Sequence, residues 1–185
     1  MPASPRMRTV NVTWDKEAGR FTALGKHAGH KVVINAPAPP GGDPVPTGFS
    51  PTELLLAGAG ACSAWDVVEI LRKRRAHIDS LDVSVEGEQA DEAPWAYREV
   101  ALHYRIGGDG LKVAVLARVI RLSIVRYCSV IATLAGVAAI SATVELVDRD
   151  GTSTGRVPIE LALPAAALPP DLEPLADEDE TESLA

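Results

Sequence analysis

The sequence predicts an α+β domain, and three observations carry the prediction. Short stretches that alternate apolar and polar residues lie on both sides of one long apolar segment, "SPTELLLAGAGACSAWDVVEILRKRR". That segment carries helix signals at both ends. A second helical stretch, "LKVAVLARVIRL", sits between later alternating segments. Strands, long helix, strands, helix pair, strands is an α+β order. The chain has 185 residues, 46% of them hydrophobic, enough for one domain with a sizeable core.

Met1 to Arg6 read as a loose end, and residues 1–9 as a flexible N-terminus. "RTVNVTWD" alternates Val10, Val12 and Trp14 against polar neighbours, as a half-buried strand does. "KEAGR" is a turn, and "FTALGKHAGHKVVIN" supplies one or two more strands. "APAPPGGDPVPTG" holds five prolines and three glycines and reads as a loop. Ser50 then offers an N-cap, Pro51 suits the first helical position, and Glu53 completes a capping box. The helix is expected to reach about Arg75. Its first half is apolar all round, which predicts burial on every side.

"SLDVSVEGEQ" and "WAYREVALHYRIGG" both alternate and read as strands. After the helical "LKVAVLARVIRL", Ser123 is expected to cap a second helical segment, "IVRYCSVIATLAG", ended by Gly136. "VAAISATVELVDRDGTSTGRVPIELALP" reads as two strands around a turn. The divisions expected are a main domain over 10–147, an additional turn and strand over 148–164, and an acidic disordered tail over 165–185.

The formal charge is −7, but seven acids lie after Pro169, where no base occurs. Those apart, 18 acids face 18 bases, so the body is neutral and makes no electrostatic case for nucleic acid. Leu54 to Trp65 is the longest apolar stretch and falls short of a bilayer, and with no charged-then-apolar opening no secretion signal is expected. The expected compartment is the cytoplasm, with no membrane association.

Chemistry centres on two cysteines, Cys62 and Cys128. Neither has a second Cys or a His at ligand spacing, which argues against a metal site. Inert core thiols, one reactive thiol and a redox pair all remain open at this level. Gly58, Ala59, Gly60 and Ala61 around Cys62 allow close approach, whether by a neighbouring helix or by a substrate. Cys62 lies beyond the first helical turn, so the helix N-terminus does little for its ionisation. Glu53 is nine residues away, on the opposite face and about 13 Å along the axis. Within one helix the two cannot touch. His27 and His30 read as turn histidines, His103 as a sheet residue, and Trp65 and Trp95 as core or interface anchors. "RKRR", Arg72 to Arg75, complements a helix C-terminus.

In this order, "SPTELLLAGAGACSAWDVVEILRKRR", "EAPWAYREVALHYRIGGDGLK" and "LSIVRYCSVIATLAG" resemble the OsmC/Ohr family, the osmotically inducible and organic hydroperoxide resistance proteins. Within it they are most similar to a less characterised OsmC-like subgroup. The resemblance covers about Val10 to Leu146. It implies antiparallel sheets packed around a long buried helix, in an intertwined homodimer with sites at the subunit interface. It also implies a thiol peroxidase that needs no cofactor or metal. Cys62 would attack an organic hydroperoxide and become a sulfenic acid, Cys128 would resolve it as a disulfide, and a dithiol reductant would restore both. A non-catalytic module binding a small hydrophobic ligand, or a general thiol–disulfide protein, are the alternatives. The family's catalytic acid directly follows the helix-opening proline; here Thr52 holds that place and Glu53 comes one step later. For the family's N-terminal arginine, this sequence offers Arg20.

Overall fold

A computed structural model describes residues 8–17, 19–25, 30–35, 48–148 and 150–163. His27, most of the proline-rich loop and the acidic tail lie outside them. Two sheets and a set of helices form the expected α+β fold. β1 (Asn11–Asp15), β2 (Arg20–Leu24) and β3 (Lys31–Ile34) make an antiparallel three-stranded sheet. A bridge from Ile34 to Phe49 joins it to the rest of the chain.

α1 (Pro51–Lys73) begins as its sequence dictates. The backbone N–H of Glu53 donates to Ser50 Oγ (3.2 Å), and that of Ser50 donates to Glu53 Oε2 (2.7 Å). Both halves of the capping box are therefore made. Arg74 caps the far end, and Arg75 turns away at φ 59°. By length and hydropathy alone α1 could cross a bilayer. Here its Ala59, Gly60, Ser63, Val67 and Leu71 are buried in the fold instead. Burial on every side does not occur within one chain. Leu55, Trp65 and Val68 are exposed along α1, and Trp65 reaches 71%. Trp95 is also exposed, at 59%, so neither tryptophan anchors this core.

β4 (Ser80–Gln89), β5 (Tyr97–Gly107), β6 (Ala139–Val147) and β7 (Val157–Pro158) form the second sheet, in that order. Its β5–β6 pair is parallel and the others are antiparallel. Parallel pairing needs a long crossover, and the helices between β5 and β6 supply it. Val100, Leu102, Tyr104 and Ile106 of β5 alternate inward, as do Ala142, Val144 and Leu146 of β6. They meet Val67 and Leu71 of α1, Leu116 and Ile120 of α2 (Val113–Leu122), and Ile131 of α3 (Ser129–Leu134) in one apolar cluster.

The segment between α2 and α3 corrects the sequence reading. Ser123 is not the N-cap of a new helix; it is the C-cap of α2 and opens a π-helical turn, Ser123–Tyr127, that continues from it. Cys128 breaks that turn with an extended backbone and is itself the N-cap of α3. The buried Ser123 hydroxyl is occupied with α1, which explains why it is not spent on capping.

Candidate functional site

The two thiols come from different elements. Cys62 sits on α1, at the border between its buried face and its exposed stripe. Cys128 is only 2% exposed and follows the π-helical turn, its N–H donating to the Ser123 carbonyl at 2.9 Å. α1 packs against both that turn and α3. Cys62 packs against the apolar cluster that holds Cys128, near enough to act on the Cys128 thiol.

Their surroundings differ in a way that sets roles. Burial pushes the Cys128 thiol up to about 12, the Ile131 N–H pulls it partly back, and the neighbouring Cys62 adds to the rise. The Ile131 N–H lies 3.5 Å from Cys128 Sγ. Cys128 is therefore a neutral thiol at neutral pH. Cys62, half-buried, is the more accessible of the two.

A buried polar group lies beside the pair. Ser63 and Ser123 are fully buried, with their Oγ atoms 2.9 Å apart. Tyr104 hydrogen-bonds Ser63 through its hydroxyl, and Ser123 Oγ donates to Asp66 Oδ2 at 3.2 Å. Burial raises the Tyr104 phenol well above its ordinary value, and the two cysteines and Asp66 act in the same direction. None of these four was expected at a site from the sequence, and Ser123 was read only as a helix cap. Two signals were there to read. Ser63 and Asp66 are polar interruptions of an apolar helix, and Tyr104 shares the inward register of Val100 and Leu102, where a hydroxyl requires a partner.

Glu53 is elsewhere. It lines a cleft of about 400 Å³ between α1 and β4, with Phe49, Leu56, Gly60, Ala64 and Val83. Cys62 is not among the lining residues. The exposed Glu53 carboxyl is held below its ordinary value by the Ser50 N–H and hydroxyl, in keeping with its capping role. The Gly60 site explains one small residue: a Cβ there would stand 2.8 Å from the Val85 side chain. Arg20 lies in the N-terminal sheet, paired in register with Asp15. His103 makes a sheet-face contact, its Nε2 3.3 Å from Glu145 Oε2.

Residues 41–155 match the OsmC family, described as OsmC-like protein. Protein YhfA of Escherichia coli is 40% identical over 111 residues, which is 60% of this chain and 78% of that protein. The crystal structure of an OsmC like protein from Mycoplasma pneumoniae matches with a TM-score of 0.64 at 21% identity, covering 78% of this chain and 99% of that one. An organic hydroperoxide resistance protein from Elizabethkingia anophelis matches with a TM-score of 0.59 at 15% identity, covering 76% and 96%. The two structural likenesses bear on the fold. The match to more than half the chain, together with the similarity to YhfA, places this protein in the OsmC-like family.

Proposed function

We propose that this protein is a cytoplasmic thiol peroxidase that reduces organic hydroperoxides with Cys62 and Cys128. The adjacency of the two thiols carries the reading. In the first step the Cys62 thiolate attacks the O–O bond of ROOH. The distal oxygen transfers to sulfur, the RO fragment leaves, takes up a proton and departs as ROH, and Cys62 becomes a sulfenic acid. In the second step Cys128 Sγ attacks that sulfur. An S–S bond forms, the S–O bond breaks, and the thiol proton leaves with the hydroxide as water. A dithiol then returns two electrons and two protons and is itself oxidised to a disulfide. Cys128, buried and protonated, is unsuited to the first step, and in the second its thiol proton goes to the departing hydroxide.

The substrate surface in this reading is the apolar cleft lined by Leu56, Leu81, Val83 and Val85. Cleft and Glu53 face away from Cys62 within one chain. A homodimer resolves this by laying one protomer's cleft and Glu53 against the partner's Cys62. The exposed apolar residues Leu55, Trp65 and Val68 on α1, and Val10, Val12 and Trp14 at the N-terminal sheet, support that pairing. In the dimer Glu53 serves both as helix cap and as the acid of the site. The same cleft favours a second reading, a non-catalytic module that holds a small hydrophobic ligand.

Consumption of cumene hydroperoxide with a dithiol reductant separates them. The peroxidase reading expects turnover by the wild type and none by Cys62→Ser. Turnover that survives Cys62→Ser, or is absent in the wild type, removes it.

A further inference from the structure

The four polar side chains beside the thiols form a chain with a direction. A carboxylate only accepts hydrogen bonds, and each hydroxyl has one proton to give. Ser123 shares its one proton between Asp66 Oδ2 and the Ser63 carbonyl, both at 3.2 Å, so its oxygen is left to accept from the Ser63 hydroxyl. Ser63, having given its proton, accepts from Tyr104. The order is Tyr104 to Ser63 to Ser123 to Asp66. Raised by burial, the Tyr104 phenol keeps the proton that starts it.

The chain also ties together the two backbone segments that carry the sulfurs. Ser63 follows Cys62 directly on α1. Ser123 receives the Cys128 N–H on its carbonyl and sends its own hydroxyl across to α1, 3.2 Å from the Ser63 carbonyl. Apolar packing alone tolerates small slides of one helix over another, whereas a buried hydroxyl chain fixes one register. We propose that the Tyr104–Ser63–Ser123–Asp66 chain is the positioning element of the thiol pair, locking α1 against the π-helical turn so that Cys128 faces Cys62 before any oxidant arrives. The proposal rests on the pairing of the two thiols and not on the nature of the oxidant.

Its test uses the full chain and diamide, an azo oxidant. Diamide takes two electrons and two protons from the thiols and becomes a hydrazine as the S–S bond forms. Equilibration against glutathione gives the effective concentration of one thiol toward the other. Ser123→Ala lowers it by about tenfold, the scale of one hydrogen bond of ordinary strength. Asp66→Asn replaces the accepting end with a group that can also donate, and lowers it by about threefold, a fraction of such a bond. Alkylation of Cys62 by iodoacetamide stays within about twofold of wild type in both, since that thiol's access does not depend on register. Should Ser123→Ala fail to fold, the half-buried, nearly isosteric Asp66→Asn decides alone. Effective concentrations equal to wild type in the folded variants overturn the proposal. A wild type that forms no Cys62–Cys128 disulfide with diamide overturns both it and the thiol-pair reading. A wild type that closes with diamide but leaves cumene hydroperoxide untouched removes only the peroxidase reading.

Discussion

The two sides of α1 are built on different principles. Toward the π-helical turn it presents Cys62, Ser63 and Asp66, and buried hydroxyls lock that contact. Toward β4 it presents Leu56, Gly60 and Ala64, and shape alone sets the fit, with Gly60 admitting Val85. One side brings reactive atoms together and the other leaves a cleft. The carboxyl and the attacking thiol named in the sequence analysis fall on opposite sides. Cys62 and Glu53 thus share one helix and still do not meet within one chain.

The largest effect expected is on the locked side. Ser63→Ala takes a partner from both Tyr104 and Ser123 at once. The orphaned Tyr104 hydroxyl costs about 1–3 kcal/mol, while Ser123 keeps Asp66, so urea denaturation should show a loss within that range. A loss below about 0.5 kcal/mol, the level of an ordinary surface change, would mean that the polar contact is not what holds this side.

The shape-fitted side is tested by two glycines that a sequence cannot tell apart. Gly60→Ala forces a methyl against Val85 and costs about 1–3 kcal/mol. Gly58→Ala has open space around its Cβ and gains about 0.5–1 kcal/mol from helix propensity. The same sign at both positions in thermal melts would break the distinction between the faces.

Titration separates the sides more gently. Below pH 9, the ordinary value of a cysteine thiol here, Cys128 is protonated in folded and unfolded chains and contributes no pH dependence. As pH rises from 9 toward about 12 the unfolded chain ionises first, so stability falls across that window. Cys128→Ser should flatten the fall. On the cleft side the sign is reversed. The Glu53 carboxyl is below its ordinary 4.5, so its contribution is full above that value and disappears as pH drops through the lowered one. Glu53→Gln should remove this small acid limb.

Much of the fold was legible in the sequence because its signals are local. The capping box, Ser50 to Glu53, appears in the structure as read, and period-two alternation marked β4 and β5. The π-helical turn was not legible in local patterning, and the Ser63 partner of its first residue, Ser123, lies 60 residues away. An isolated Ser before an apolar run reads as a cap, and only the tertiary partner shows otherwise. Full burial of α1 was overread for a related reason. An apolar helix reports that something must cover it, not that the same chain does so.

The central claim is that Cys62 and Cys128 form one redox unit. Peptide mapping without reductant, after one equivalent of cumene hydroperoxide, tests it most directly. The account predicts a Cys62–Cys128 linked peptide within one chain, two hydrogens lighter than the reduced pair. Cys62 oxidised to sulfinic acid while Cys128 remains a free, alkylatable thiol would contradict it.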